Sequence, residues 1–193
     1  MPKITVAPGD QHATKDACVI STLLGSCVAC CLWDPETKVA GMNHFLLANR
    51  RYAREMPVSL TEAGRYGVQS MEMLINAMIK LGADKRRLHA KAFGGGQVLI
   101  SLSKDNFNCV GNVNERFIRE FLKAEGIPLD SEDLGGELGR VIRFRTDTYT
   151  VYRRFVKKTA TVLVETEEKL YWKKSIARHV ADEKAQKKRE ILF

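Results

Sequence analysis

Apolar and β-branched residues recur at alternate positions, or in short unbroken runs bounded by turn formers, at residues 18–22, 27–33, 39–46, 88–93, 140–145, 149–155 and 161–164. Period-two alternation and runs of this length predict strands, so the chain reads as a sheet protein with a few helices. Two stretches switch to a helical period. Over residues 61–81, Gly67, Met71, Leu74, Met78 and Leu81 share one stripe, with Thr61 placed to cap the first turn and Gly82 to stop the last. Over residues 112–125, Phe117, Ile118, Phe121 and Leu122 form an apolar side, and Gly126, Ile127 and Pro128 end the helix. Both stripes, methionines included, read as core.

Residues 166–193 differ in kind. They are charge-rich, lack Gly and Pro, and place Trp172, Ile176 and Val180 four residues apart, which predicts an amphipathic helix lying against the domain. The expected plan is one α/β domain over residues 1–160, a sandwich of sheets covered by helices, followed by a charged helical extension over residues 161–193. A chain of 193 residues, 45% hydrophobic and 28% charged, can build a true core and is not disordered, collagenous or coiled-coil in composition.

The net charge of +8 admits an acidic protein surface, an anionic lipid face or nucleic acid as partner. Nucleic acid ranks last, because the aromatics occupy periodic core positions instead of alternating with Lys and Arg. No apolar run approaches the ~20 residues that cross a bilayer, and the first twenty residues lack a secretory apolar segment, so a cytoplasmic protein is expected. Five cysteines is an odd number and three of them fall within five residues, which favours reduced thiols over disulfides.

Chemistry concentrates in residues 21–47, STLLGSCVACCLWDPETKVAGMNHFLL. Two strand-like runs flank Asp34, Pro35, Glu36 and Thr37, a turn composition, so a β-hairpin is the economical local plan. With the turn centred between Pro35 and Glu36, Cys27 and His44 lie directly across from each other, their Cβ atoms ~5 Å apart. A neighbouring imidazole can take the proton of a thiol and hold the thiolate as an ion pair, making Cys27 a nucleophile and His44 its base. Gly25 and Ser26 permit a sharp turn that exposes the sulfur and turns backbone N–H groups toward an oxyanion. Ser21, or its neighbour Thr22, is placed to orient the second nitrogen of His44. A redox pair or a zinc site from Cys27, Cys30, Cys31 and His44 fits poorly, because Cys27 and Cys30 point to opposite faces of a strand. Cys18, Cys30, Cys31 and Cys109 read as packing residues.

LGSCVACCLWDP followed by GMNHFLL resembles the signature of the chemoreceptor glutamine deamidase family, the CheD proteins of bacterial chemotaxis. Arg65 and Tyr66, KAFGGG at residues 91–96, and GGELGRVIRF at residues 135–144 resemble its later blocks in the same order, so the likeness covers roughly residues 3–157. The resemblance implies an α/β sandwich and hydrolysis of selected glutamine side chains in the cytoplasmic helices of chemoreceptors, releasing ammonia and requiring no metal or organic cofactor. It implies catalytic roles for Cys27, His44 and Ser21, the last standing six residues before the cysteine, where relatives usually carry threonine. Gly25 and Ser26 then shape the oxyanion turn, and Asn43, Gly94 and Gly95 lie on the substrate side. It implies contact with the membrane only through receptors, and binding to a CheC-type phosphatase that competes for the same face. A non-catalytic adaptor binding receptor or phosphatase is the alternative. The chain departs from the family pattern at RTDTYTVYRR, where relatives run through a glycine turn, and in its long tail.

Overall fold

In the computed structural model, which describes residues 1–47, 62–98 and 110–156 together with Thr166 and Leu170, the alternating segments form nine strands in two sheets, joined by two long helices. The strands are β1 (Lys3–Thr5), β2 (Gln11–Thr14), β3 (Val19–Leu24), β4 (Val28–Trp33), β5 (Ala40–Asn43), β6 (His89–Gly94), β7 (Leu129–Leu134), β8 (Arg140–Arg145) and β9 (Val151–Phe155). The helices are α1 (Glu62–Lys80) and α2 (Val110–Ala124). One sheet has the order β1-β3-β8-β9 and the other β2-β5-β4-β6-β7. Helix α1 packs on β2 and β5, and α2 on β4, β6 and β7, so both cover the five-stranded sheet. The chain is thus a mixed α/β protein, as expected. The expected strand at 161–164, the extension beyond it, the Thr61 cap and Cys109 lie outside the described residues, apart from Thr166 and Leu170, both helical.

This layering explains why β4 is apolar throughout. Val28, Cys30 and Leu32 join the core beneath the helices, whereas Ala29, Cys31 and Trp33 join the core between the sheets. A strand buried on both faces has no polar alternation to show. Strand β3 covers the inter-sheet core from the other side and alternates: Ile20, Thr22 and Leu24 point inward, and Val19, Ser21 and Leu23 outward. The helix stops fall where Gly82 and Gly126 predict them, both at positive φ, with Ala83 N–H donating to Met78 O at 3.1 Å and Ile127 N–H to Leu122 O at 2.9 Å. Helix α2 begins two residues earlier than expected.

Strands β1, β2 and β7 were not expected. The first two are three and four residues long, and β7 reads LDSEDL, with three carboxylates. All three lie at sheet edges, where little burial imprints a pattern. In the turn between β8 and β9, Tyr149 stands at φ 57, with its ring stacked on Trp33 at 5.3 Å. Stacking of that kind offsets part of the strain.

The β4–β5 hairpin corrects the expected register. Trp33 pairs with Ala40, Leu32 with Gly41 and Cys31 with Met42, so the turn spans Pro35 to Lys38 and centres between Glu36 and Thr37. Lys38 supplies the extra residue at φ 59, its N–H donating to Asp34 O at 2.9 Å. The Asp34 carboxylate, fully buried, secures this turn. It accepts from Glu36 N at 3.0 Å, Asp84 N at 2.9 Å and Arg87 Nη2 at 2.8 Å. Burial alone would raise its pKa, but the Arg87 guanidinium and the backbone donors outweigh this and hold it well below the usual carboxylate range. Asp34→Ala removes the buried acceptor shared by Glu36 N–H, Asp84 N–H and Arg87, leaving Arg87 only its more exposed pairs with Glu36 and Asp84, and is expected to cost about 2 kcal/mol in urea unfolding; a loss under 1 kcal/mol would show that the turn holds itself.

Candidate active site

Cys27 precedes the first residue of β4, and His44 follows the last of β5. An isolated bridge pairs Val28 with Phe45, so the ladder places His44 opposite Ala29 and Cys27 opposite Leu46. Cys27 and His44 are therefore diagonal neighbours, two residues removed from the direct opposition expected. The displacement is even, so both still face the inter-sheet core, where Cys27 packs with Ala29, Cys31 and Leu46. The zinc grouping fails on the same parity, since Cys30 lies in the core beneath the helices.

Backbone bonds hold His44 on both sides. Its N–H donates to Asp10 O at 3.0 Å, and its carbonyl accepts from Gly9 N at 2.7 Å. Residues 7–10, APGD, form the turn between β1 and β2. Asp10 N–H closes it on Ala7 O at 3.0 Å, with Pro8 at the second position and Gly9 at φ 89, the left-handed conformation that a type II turn requires there. This turn signal was legible in the sequence, but its partner was not.

The imidazole meets Thr22. Thr22 Oγ1 lies 2.7 Å from His44 Nδ1 and donates to Val6 O at 2.7 Å. A hydroxyl has one proton; with that proton directed at Val6 O, Oγ1 accepts from Nδ1–H. Nε2 then carries the lone pair, and it has no hydrogen-bond partner. The expectation for Ser21 is corrected here. Its hydroxyl faces the other side of β3 and donates to Ile4 O at 3.4 Å, so Thr22 and not Ser21 is the hydroxyl that meets the imidazole. Burial pushes His44 down to about 4, only partly opposed by the Val6 carbonyl. The resting imidazole is accordingly neutral, not the imidazolium of a preformed ion pair. Cys27 and His44 are 0% and 1% exposed, so the turn does not leave the sulfur open to solvent as expected.

The glycine blocks pack against the backbone of the turn at residues 25–27. Gly95 N–H donates to Cys27 O and Gly96 N–H to Gly25 O, both at 2.7 Å. A Cβ at Gly94, where φ is 118, would stand 2.1 Å from Cys27 O. Gly94 O accepts from Gly135 N at 2.8 Å, and the loop after Gly135 is gathered by buried Arg140, which donates to Asp133 O, Gly135 O and the Asp133 carboxylate. Gly94 and Gly95 thus pack directly on the Cys27 carbonyl. Asn43 is fully buried: it accepts from Cys30 N at 3.0 Å and reaches Ser70 Oγ and Met71 Sδ on α1, each at 3.2 Å. Ser26, in the expected oxyanion turn, is 2% exposed. Its carbonyl accepts at 2.8 Å from Nδ2 of Asn114, a residue not singled out in the sequence although it is a lone amide on the apolar side of α2.

A family described as CheD chemotactic sensory transduction matches residues 46–155, beginning two residues after His44. The chain is 52% identical over 91% of its length, and 88% of the relative's, to a protein of Geobacter sulfurreducens named "Probable chemoreceptor glutamine deamidase CheD 1". It is 48% identical over 80% of its length, and 77% of the relative's, to the Shewanella oneidensis protein named "Probable chemoreceptor glutamine deamidase CheD 2".

Proposed function

The chain belongs to the CheD family of chemotactic sensory transduction proteins, and from that premise we propose that it is a protein-glutamine glutaminase, converting chemoreceptor glutamine side chains to glutamate with Cys27 as nucleophile, His44 as general base and acid, and Thr22 as orienter. The observation that carries this reading is the 2.7 Å contact between Thr22 and His44, which sets the imidazole with a bare Nε2 on the face that Cys27 shares.

An amide carbon is a poor electrophile, so the sulfur must lose its proton as it attacks. Neutral His44 accepts that proton at Nε2 while Thr22 keeps hold of Nδ1–H. The tetrahedral oxyanion collapses as the imidazolium returns the proton to the leaving nitrogen, and ammonia departs. The resulting thioester between Cys27 and the former glutamine is cleaved by a water that His44 deprotonates, which yields the glutamate carboxylate and restores the thiol. Because both groups are buried, productive binding includes an opening of this face to the receptor helix. With the cytoplasmic helices of receptors as substrate, the proposed reaction runs in the cytoplasm. No helix of the described residues is long and apolar enough to cross a membrane.

The test is mass spectrometry of receptor cytoplasmic fragments incubated with the protein, reading a gain of about 1 Da at glutamine. Absence of any such gain would remove the reading. Thr22→Val keeps the shape but removes the acceptor for Nδ1–H. Losing one buried hydrogen bond of this kind is expected to lower kcat by about tenfold to a hundredfold, with Thr22→Ser recovering most of it. Unchanged rates in Thr22→Val would refute the orienting role.

A further inference from the structure

Asn114 stands fully buried among Val110, Val113 and Phe117, where an amide without partners would be costly. Both its ends are engaged: Nδ2 donates to Ser26 O at 2.8 Å, and Oδ1 accepts from Leu47 N at 2.9 Å. The amide orientation is forced, since a carbonyl only accepts and a backbone N–H only donates. Gly111 lets the helix come this close, because a Cβ there would lie 2.5 Å from Gly95 O.

We propose that Asn114 is a positioning residue for the deamidation proposed above, acting through the peptide that joins Ser26 to Cys27; the inference rests on that reading. In a trans peptide the C=O and N–H point in opposite directions within one plane, and the chain has no cis bond among the described residues. Holding Ser26 O toward α2 therefore sets the direction of Cys27 N–H, and with it the vector along which the Cys27 side chain leaves the backbone. The other end of the same amide holds Leu47, three residues beyond His44. One side chain on α2 thus joins the nucleophile's peptide to the segment that carries the base, and a displacement of the helix reaches both. A geometry error of about 1 Å between reacting groups costs on the order of a hundredfold in rate, so a residue touching neither sulfur nor substrate can act strongly on turnover.

The test uses the full chain and two variants. Asn114→Asp is nearly isosteric, keeps the acceptor for Leu47 N–H and turns a second oxygen toward Ser26 O. Gly111→Ala displaces the first turn of α2 without changing Asn114. Deamidation of receptor cytoplasmic fragments gives kcat and KM. Peptide mass spectrometry gives the rate of Cys27 alkylation by iodoacetamide, a readout independent of the proposed reaction, and thermal unfolding confirms the fold. Asn114→Asp is expected to lose about tenfold or more in kcat with KM within about twofold, and to slow alkylation; Gly111→Ala should shift both in the same direction, less far. Where Asn114→Asp does not fold, Gly111→Ala decides alone. Folded variants with kcat and alkylation within twofold of the parent would overturn the positioning role. A parent that deamidates nothing, but whose Cys27 alkylation still slows in the variants, would remove the proposed reaction and keep the positioning.

Discussion

Cys27→Ala is expected to abolish glutamine conversion, lowering kcat/KM by about a thousandfold or more, because no other described thiol can take its place. Cys30 lies beneath the helices, its thiol pushed up by burial. Cys31 shares the face of Cys27 but sits one full pair beyond Ala29, and burial, reinforced by Cys30, pushes its thiol well above the ordinary range. The variant removes a single sulfur, so its thermal midpoint should fall by only a few degrees, which separates loss of chemistry from loss of fold. Cys27→Ser should be nearly as inactive, since a neutral imidazole is a weak base toward a hydroxyl. Hydroxylamine added during turnover should intercept the thioester, attacking its carbonyl, releasing the thiol and leaving a hydroxamate about 16 Da heavier than glutamine. Full conversion by Cys27→Ala would place the nucleophile elsewhere. A non-catalytic adaptor, by contrast, would show no conversion in the parent and equal receptor binding in the variant.

What could be read from the sequence divides along physical lines. Burial on one side leaves a periodic imprint and burial on both sides an unbroken apolar run, so both helices and their glycine stops, together with β3, β6 and β8, are visible within a residue or two by the first signal and β4 by the second. Edge strands with little burial left none, as β7 with its three carboxylates shows. The choice between Ser21 and Thr22 turned on which side of β3 faces the inter-sheet core. Ile20 and Leu24 alternate with Val19 and Leu23, so both sides carry apolar residues and the pattern cannot decide. The hairpin register turned on Lys38, a residue type with no preference for the left-handed region it occupies. Cys27 and His44 still share a face because the error was of two residues and the strand period is two. Asn114 could have been noticed as the one amide in the stripe of α2, but its two partners come from segments 88 and 67 residues away in the chain.

His44→Asn should lower kcat/KM by about a hundredfold to a thousandfold, having lost the group that moves the proton in both half-reactions, and it should also remove a pH dependence of stability. The folded imidazole titrates at about 4, against an ordinary 6.5 for an exposed histidine in the unfolded chain. Between those values the unfolded state binds the extra proton, so stability is fully present above pH 6.5 and declines as pH falls toward 4. From pH 7 to pH 5 this one group should withdraw about 2 kcal/mol from the unfolding free energy. Urea titrations at the two pH values, in parent and His44→Asn, isolate the term, because every other titrating group is common to both proteins and cancels in the difference. Equal pH dependence in the two proteins would mean that His44 is not held neutral in the fold. The same depressed value places the acid limb of kcat/KM, which reports the free enzyme, near pH 4 instead of near 6.5. A limb at the ordinary histidine position, with the stability difference intact, would assign the base to a different group while leaving the buried imidazole as a structural one.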